Sequence, residues 1–442
     1  MINDENIIEK TSNYFKKSVT LKILTVGFLI LVMLIPAAMI QNLIQERQSR
    51  RNSVVSEISQ KWGNKQTVTG PFITIPFKTT FKDDKGKTQY NINYLHILPE
   101  TLNVTGNMKP EVRYRSLFEA VLYSAKLQIN GNFKLPQLNQ LSADQKYILW
   151  DEAYLSLGIS DMRGIQDKII INFNGANYSA NPGLKTSDLA EAGVSTLTMP
   201  LKANGTYKFS LDLSINGSEQ INFIPLGEST AVKLGSTWPS PSFNGAYLPT
   251  SRDVGKNGFS ANWKILHLNR NYPQSWESAK YDIDPSAFGL QLIMTADIYQ
   301  KSTRLAKYAI MFLVFTFAAF FFSEIINKQK IHPIQYILIG MAILLFYTLV
   351  LSLSEHIRFN FAYVLSALAV TLIISGYARA VISNSRFSLM ILVILSILYS
   401  YLFIILQLED YALIMGSIGL LIILSVVMYL TRKINWYEID TQ

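Results

Sequence analysis

The chain has 442 residues, contains no cysteine and carries a formal net charge of +9. The absence of cysteine excludes disulfides and cysteine-ligated metal sites, and the lack of any basic block or nucleic-acid motif argues against a nucleic-acid partner. Hydropathy divides the sequence, because residues 45–303 have the composition of a soluble domain whereas residues 304–431 consist mostly of long apolar runs.

The first predicted element is a membrane-spanning helix at residues 21–44, which follows a short cytoplasmic segment, residues 1–20. A span needs roughly 20 mainly apolar residues to cross about 30 Å of hydrocarbon. Three lysines before this stretch and Pro36 within it also resemble a cleaved signal peptide. Apolar character continues to Ile44 without a good cleavage site, which favours a retained helix.

Residues 45–303 are predicted to form an all-β or mainly-β extracytoplasmic domain of sandwich type, after a helical extension over residues 45–62. Alternation of apolar and polar residues, as from Tyr207 to Ile215, indicates strands with one buried face. Asn-Gly pairs suit tight hairpin turns because both residues accept positive φ. Five such pairs occur, at 130–131, 174–175, 204–205, 216–217 and 244–245.

Two segments of this domain resemble each other, Tyr123–Gly131 and Phe209–Gly217. Both place an aromatic residue eight positions before the glycine of an Asn-Gly pair. The likeness leaves two interpretations open. Either the domain contains an internal duplication, or strand–hairpin sequences simply look alike.

Residues 304–431 are predicted to form a bundle of five further membrane helices, which gives six spans in all, followed by a cytoplasmic tail of residues 432–442. Most of these stretches have no charged residue in their interior, as the cost of a charge in the middle of the bilayer requires. The six stretches are Leu21–Ile44, Ala306–Ile326, Pro333–Leu353, Phe359–Ala378, Phe387–Leu408 and Tyr411–Leu430.

The orientation of the spans follows from basic residues in the short loops. Loops rich in lysine and arginine stay in the cytoplasm, so both termini are predicted to be cytoplasmic and the large domain to lie outside. The residues that indicate this are Lys16, Lys17, Lys22, Lys328, Lys330, Arg379, Arg386, Arg432 and Lys433. Basic residues on the other side, such as Arg47 and Lys307, carry less weight because long domains translocate largely regardless of charge.

No catalytic or metal-binding motif stands out. The four histidines form no zinc-protease pattern, and neither a nucleophile elbow nor a phosphate-binding loop is present. The spans hold no ionisable residue near their centres, which argues against secondary transport. We therefore predict no enzymatic activity, no metal and no cofactor, with a hydrolase of unrecognised type as the alternative.

A candidate functional cluster lies in two short outer loops. Its members are Glu355, His356 and Arg358 in one loop and Glu409 and Asp410 in the other. One interpretation is a proton- or ligand-sensing cluster, since histidine titrates near neutral pH; the other is a hydrated connection that docks the soluble domain. Glu324, near the inner end of the second span, is a further candidate by its depth, although its position favours simple snorkelling.

Ordered motifs along nearly the whole chain resemble the CreD family of inner-membrane proteins. In the soluble part the motifs are Trp62-Gly63, Gly70-Pro71, Arg113-Tyr114-Arg115, Gly158–Gly164 and Trp238–Phe243. In the C-terminal part they are Tyr299-Gln300-Lys301, His332–Tyr336, Leu351–His356, Leu408–Leu413 and Trp436-Tyr437. The resemblance extends from about residue 20 to residue 438.

This resemblance implies a Gram-negative inner-membrane protein that maintains cell-envelope integrity under stress, with no established catalytic residues. The residues that its motifs mark are Trp62, Gly70, Pro71, Arg113, Arg115, Asp161, Arg163, Trp238, Gln300, Lys301, Gln335 and Tyr336. We expect the lipid bilayer and a periplasmic protein, membrane protein or envelope component as partners. Handling of a lipid or hydrophobe between membrane and periplasm is the alternative, and the oligomeric state is left open.

Overall fold

The computed structural model describes residues 19–82, 85–135, 148–294, 298–327, 331–382, 385–408 and 411–432. The chain separates into two units. A helical unit comprises residues 1–50 and 296–442, and a β unit comprises residues 51–295.

The helices follow the long apolar stretches of the sequence. They are α1 (Val19–Trp62), α2 (Ile298–Lys307), α3 (Ala309–Asn327), α4 (Pro333–Ser354), α5 (Phe359–Ile382), α6 (Ser385–Gln407) and α7 (Ala412–Thr431). Pro36 is accommodated inside α1. The last residues of α1, from Arg51 to Trp62, belong to the β unit.

The predicted number of six spans is not confirmed. Within the described residues, four helices are long and apolar enough to cross a membrane, namely α1, α4, α5 and α6. The pair α2 and α3 is bent by 41° at a short break and would add a fifth span if counted as one. The described side chains of α7 do not cover the whole helix, so the sixth predicted span stays a prediction.

Within the described residues, the β unit contains sixteen strands. They are β1 (Gln66–Lys82), β2 (Thr88–Ile97), β3 (Thr101–Arg115), β4 (Phe118–Lys134), β5 (Tyr154–Ile159), β6 (Ile170–Phe173), β7 (Ala176–Pro182), β8 (Gly193–Thr196), β9 (Thr206–Ser218), β10 (Gln220–Ile224), β11 (Ser229–Ser236), β12 (Pro241–Gly245), β13 (Ser251–Gly255), β14 (Gly258–Leu266), β15 (Ser275–Glu277) and β16 (Phe288–Leu292).

All sixteen strands join in one sheet, so the predicted sandwich of two sheets is not confirmed. The order is β12-β16-β10-β1-β5-β8-β7-β6-β9-β4-β3-β11-β14-β13, with β2 and β15 branching from β1. Phe243 on β12 packs against Phe259 and Trp263 on β14, with ring centroids 5.9 and 5.8 Å apart. The two ends of the sheet therefore approach each other, and the sheet is nearly a barrel.

The alternating pattern of the strands fills the interior of this sheet. From Tyr123 to Ile129 on β4 and from Phe209 to Ile215 on β9, apolar residues at every second position are buried while their polar neighbours are exposed or half-buried, as the two-residue period of a strand requires. Strand β1 is buried on both faces over Val68–Phe77, where the apolar residues are interrupted by the buried hydroxyl groups of Thr69 and Thr74. Both faces of this stretch are therefore shielded from solvent.

Of the five Asn-Gly pairs, only one forms the predicted two-residue hairpin. Asn174 and Gly175 connect β6 to β7, and their φ angles of 52° and 89° fit a tight turn. The pair at 204–205 lies in a turn before β9, whereas the pairs at 130–131, 216–217 and 244–245 lie inside strands. The hairpin prediction was wrong for these three pairs.

The two similar segments are neighbouring antiparallel strands, with Tyr123 opposite Gly217 and Phe209 opposite Gly131. A Cβ on Gly131 would collide with the backbone carbonyl of Thr101 and come within 2.8 Å of Phe209 Cζ, and a Cβ on Gly217 would collide with the ring of Tyr123. Close approach of a neighbouring strand therefore requires glycine at both positions. Packing across the strands accounts for both glycines, and the internal duplication stays a prediction.

Candidate functional site

The predicted outer-loop cluster is only partly described. Glu355 ends α4, and its side chain is 8 % exposed. Tyr299 Oη donates to Glu355 Oε1 at 3.1 Å, and Arg47 Nη1 lies 3.8 Å from Glu355 Oε2. His356 and Arg358 are exposed, whereas Glu409 and Asp410 lie outside the described residues. Glu355 thus connects α1, α2 and α4.

The neighbouring motif residues on α2 differ in exposure. Gln300 is exposed, and Lys301 Nζ lies 5.7 Å from the centroid of the Phe359 ring at the start of α5. A cation at this distance over an aromatic face is attracted by the ring. Lys301 therefore links α2 to α5.

Glu324 does not snorkel, contrary to the prediction. Its side chain is 5 % exposed, and Lys22 Nζ lies 2.8 Å from Glu324 Oε1. The backbone N–H of Ile331 and Tyr336 Oη also donate to this carboxylate, at 3.2 and 3.3 Å. The motif residue Tyr336 therefore belongs to a contact that joins α1, α3 and α4.

The adjacent motif residue Gln335 caps α4. Its Oε1 accepts a hydrogen bond of 2.9 Å from the backbone N–H of His332, and His332 Nδ1 accepts one from the N–H of Ile334. Reciprocal bonds of this kind satisfy N–H groups that have no partner in the first turn of a helix. Pro333 at the first helical position fits the same start.

In the β unit, the motif residues Asp161 and Arg163 meet the strand that begins at Gln66. Arg163 donates to Asp161 through Nε and Nη2, both at 2.9 Å, and the N–H of Asn64 donates to Asp161 Oδ2 at 2.9 Å. Burial alone would raise the pKa of Asp161, but the hydrogen bonds from Arg163 and the N–H of Asn64 outweigh it. The pKa of Asp161 therefore lies below its usual value.

The side-chain amide of Gln66 is fully buried at the centre of the same network. Gln66 Nε2 donates to the carbonyls of Asp161 and Asn216, at 2.9 and 3.0 Å. Gln66 Oε1 accepts from the N–H of Asp161 at 3.2 Å and from Ser160 Oγ at 3.3 Å. We call this set of Gln66, Ser160, Asp161, Arg163 and Asn216 the Gln66 network.

A second group of motif residues holds the end of α1 against β3 and β4. The guanidinium of Arg113 lies 4.1 Å from the centroid of the Trp62 ring, and Trp62 Nε1 donates to the carbonyl of Tyr123 at 3.3 Å. Arg115 forms an ion pair with Glu57. Hydrogen bonds from Arg115 and from Lys61 lower the pKa of Glu57 to about 2, so this pair stays charged in mild acid.

Replacing Trp62 by alanine should destabilise the β unit by roughly 2 kcal/mol. Removal of a buried aromatic costs about 3–5 kcal/mol, and Trp62 is only half-buried. The measurement is the urea midpoint of the full-length protein, followed by tryptophan fluorescence. Tyr114→Ala is the matched control, because the Tyr114 side chain, next to Arg113 on β3, is 68 % exposed; equal midpoints for the two variants would contradict the role of Trp62.

The remaining motif residues of the β unit shape the backbone and its packing. Gly70 has a φ of +113° and precedes Pro71 in β1, where the pairing with β5 shifts register between Thr69 and Phe72. Only glycine adopts such a φ without strain. Trp238 Nε1 donates to the carbonyl of Ile293 at 3.1 Å.

One buried polar group was not singled out from the sequence. His96 is 0 % exposed, its Nε2 lies 2.8 Å from Asp188 Oδ2, and its Nδ1 lies 3.1 Å from Thr74 Oγ1. The order hydroxyl, imidazole and carboxylate occurs in hydrolases, but Thr74 is fully buried and offers no substrate access. The arrangement instead holds the segment around Asp188 to the sheet. A histidine between the apolar residues Leu95 and Ile97 was the only sequence signal.

Lowering the pH should reduce the stability of the β unit through His96. Burial lowers the pKa of His96, and the bond to Asp188 opposes this only in part. The unfolded chain then binds a proton near pH 6.5 while the folded chain does not, so the free energy of unfolding falls as the pH drops below about 6.5. Urea midpoints between pH 7.5 and 5 measure the effect; a His96→Gln variant should show a flatter profile, and an equally steep one would contradict the assignment.

An acidic cleft of about 460 Å³ lies beside the same segment of the β unit. Four carboxylates line it, those of Asp188, Glu191, Asp282 and Asp284, together with Tyr281. Burial, with the charges of Asp282 and Glu191, raises the pKa of Asp284. Among the described residues, no group of three or more histidine or acidic side chains is arranged to hold a metal ion.

Comparison with known proteins identifies a family that matches nearly the whole chain. A family model described as Inner membrane protein CreD matches residues 18–437. The chain belongs to the CreD family. It is 30 % identical over 418 residues to the Inner membrane protein CreD of Escherichia coli strain K12, a match that covers 92 % of this chain and 91 % of that protein.

Solved structures add no functional information about this member of the CreD family. An M1 zinc metallopeptidase from Deinococcus radiodurans aligns with a TM-score of 0.20 and 9 % identity, over 38 % of this chain and 39 % of that one. A yeast LTA4 hydrolase aligns with a TM-score of 0.18 and 8 % identity, over 50 % of this chain and 35 % of that one. Likeness at this level supports neither a shared fold nor a shared activity.

Proposed function

We propose that this CreD-family chain maintains the integrity of the cell envelope under stress, without catalysis, and that its β unit binds a periplasmic partner or envelope component. The observation that supports this is how the motif residues of the β unit are used. Trp62, Arg113, Asp161 and Arg163 are engaged with one another and with the backbone, not presented around a cleft. Residues with such contacts stabilise the fold, so the function depends on the surface that the fold exposes.

The proposal includes six spans, cytoplasmic termini and a periplasmic β unit, because the short basic loops favour that orientation. A phosphatase reporter that is active only outside the cytoplasm should be active when inserted after the exposed Gly255 and inactive after Gln442. Activity at the C-terminus would contradict the proposed orientation of the last span.

The partner can be sought from the acidic cleft. A photo-crosslinking amino acid at position 281, where Tyr281 is half-buried in the cleft wall, should capture a distinct species in native membranes. The matched control is position 126, where Lys126 is exposed on β4. Identical products from both positions would argue against a partner at the cleft. Hydrolysis of peptidoglycan, lipid or peptide by the purified protein would instead favour the enzyme alternative.

Handling of a lipid by the β unit receives less support. It requires an open apolar channel between the strands, whereas Phe223, Trp263 and Phe288 are buried and in ring contact there. A β unit filled by aromatic side chains suits binding at its surface.

A further inference from the structure

The turn between β3 and β4 exposes apolar and basic side chains together. Ser116, with a φ of 56°, lies in this turn, and Leu117 follows it. Tyr114 and Leu117 are 68 % and 42 % exposed. Exposed apolar residues that occur singly need no explanation, but here two of them lie within four residues of each other, beside two arginines. We call residues Arg113–Leu117 the hairpin tip.

The two arginines of the hairpin tip are only partly used by contacts within the β unit. Arg113 and Arg115 both contact α1, so Tyr114 between them lies on the opposite face of β3. Arg113 forms an ion pair with Glu111, and its side chain is 45 % exposed. Arg115 forms an ion pair with Glu57, and its side chain is 51 % exposed. Because a guanidinium has five N–H donors, each arginine has donors left for a further oxyanion.

The β3–β4 hairpin lies along the last turns of α1. At one level Trp62 Nε1 donates to the carbonyl of Tyr123, and at another Val55 packs against Ala120 and Leu122. The two contacts are seven residues apart on α1, about 10 Å. On β4 the three residues from Tyr123 to Ala120 also cover about 10 Å. The hairpin and the helix therefore run side by side, and the hairpin tip points away from Trp62.

The same helix gives the distance between the hairpin tip and the apolar part of α1. Helix α1 is continuous, and its apolar stretch ends at Ile44, eleven residues or about 16 Å before Val55. From Ala120 the hairpin extends three residues, about 10 Å, to Leu117 in the same direction. The hairpin tip therefore ends about 6 Å from the level of Ile44.

This distance corresponds to the depth of the lipid headgroups. The hydrocarbon core is about 30 Å thick and the whole bilayer about 40–45 Å, so the headgroups on each side occupy roughly 5–8 Å. Tyrosine is enriched at this depth because its ring is apolar and its hydroxyl polar. Arginine binds phosphate oxygens through two parallel hydrogen bonds. The residue types of the hairpin tip thus match the chemistry of the layer that it reaches.

We propose that the hairpin tip binds phospholipid headgroups of the bilayer that α1 crosses. Tyr114 and Leu117 lie among the headgroups, and Arg113 and Arg115 donate to lipid phosphates. The glutamates paired with these arginines offset their charge, so the contact does not require an anionic lipid. This inference goes beyond the proposed function, and it holds whichever side of the membrane the β unit occupies.

Fluorescence quenching by lipid tests the contact in the full-length protein. The chain has no cysteine of its own, so one polar fluorophore can be attached to Leu117→Cys. The protein is reconstituted into phosphatidylcholine vesicles with and without a phosphatidylcholine that carries a nitroxide on its headgroup. Because a nitroxide quenches only at short range, the label at position 117 should lose most of its fluorescence.

The control label is attached to Lys134→Cys, since Lys134 is exposed at the other end of β4, about 50 Å along the strand from Phe118. Its fluorescence should be the same with and without the nitroxide lipid. Equal quenching at positions 117 and 134, or no quenching at either, would overturn the proposal.

A second substitution separates binding to headgroups from mere proximity. Tyr114→Asp replaces an exposed side chain by a carboxylate that lipid phosphates repel, and it should lower the quenching at position 117 severalfold. Thr105→Asp, at an exposed position of β3 nine residues before Tyr114, should leave the quenching unchanged. Quenching at position 117 that Tyr114→Asp does not reduce would contradict binding through the hairpin tip.

Discussion

Replacing Gln66 by leucine should destabilise the β unit by roughly 3–5 kcal/mol. The Gln66 side chain is fully buried. Its amide forms hydrogen bonds with the backbone N–H and carbonyl of Asp161 and with the carbonyl of Asn216. Leucine has a similar size but cannot form these bonds. Each buried polar group left without a partner costs about 1–3 kcal/mol, and the costs are not fully additive.

The urea midpoint of the full-length protein measures this loss, with tryptophan fluorescence as the signal of the β unit. Gln128→Leu is the matched control, because Gln128 is exposed on β4 and exposed substitutions usually change stability by less than about 0.5 kcal/mol. Similar midpoints for the two variants would show that the Gln66 network does not stabilise the β unit.

This network also shows where prediction from the sequence ends. The apolar length of the spans and the alternation of β4 and β9 depend on neighbouring residues, so the helices and many strands could be predicted. Gln66 and Asp161 are 95 residues apart, and no local pattern records their contact. The resemblance to CreD marked Asp161 and Arg163 without saying what they bind.

The order of the sheet could not be predicted for the same reason. Strand β1 pairs in parallel with β10, and β3 pairs in parallel with β11, so both pairs join segments more than a hundred residues apart. The hairpin prediction from Asn-Gly pairs was wrong where glycine is required by packing across strands and not by a turn. At Gly131 the backbone of Thr101 and at Gly217 the ring of Tyr123 leave no room for a Cβ, and the dipeptide alone cannot reveal these neighbours.

Part of the candidate site in the helices could be predicted from the position of Glu324 along its span. Glu324 was singled out because a carboxylate near the membrane is costly, but its partner Lys22 is 302 residues away. Without that partner, snorkelling was the better interpretation of the sequence. The structure replaces it with a buried ion pair that fixes α1 to α3.

Replacing Lys22 by leucine should therefore destabilise the helical unit by roughly 3 kcal/mol, since the carboxylate of Glu324 would stay buried without its cation. Glu324→Gln should cost less, about 1 kcal/mol, because the amide oxygen can still accept from the N–H of Ile331 while the amide nitrogen can donate to Tyr336 Oη. The double variant Lys22→Leu with Glu324→Gln should recover much of the loss of Lys22→Leu expected without coupling, because it leaves no unpaired charge and the amide keeps polar contacts.

The thermal midpoint of the purified full-length protein in detergent measures all three variants. Lys307→Leu serves as the control for removal of an exposed cation. The decisive quantity is the coupling between positions 22 and 324, obtained from the two single variants and the double variant, which should be about 2 kcal/mol. Strictly additive effects would mean that the pair does not act as a unit and that other contacts hold α1.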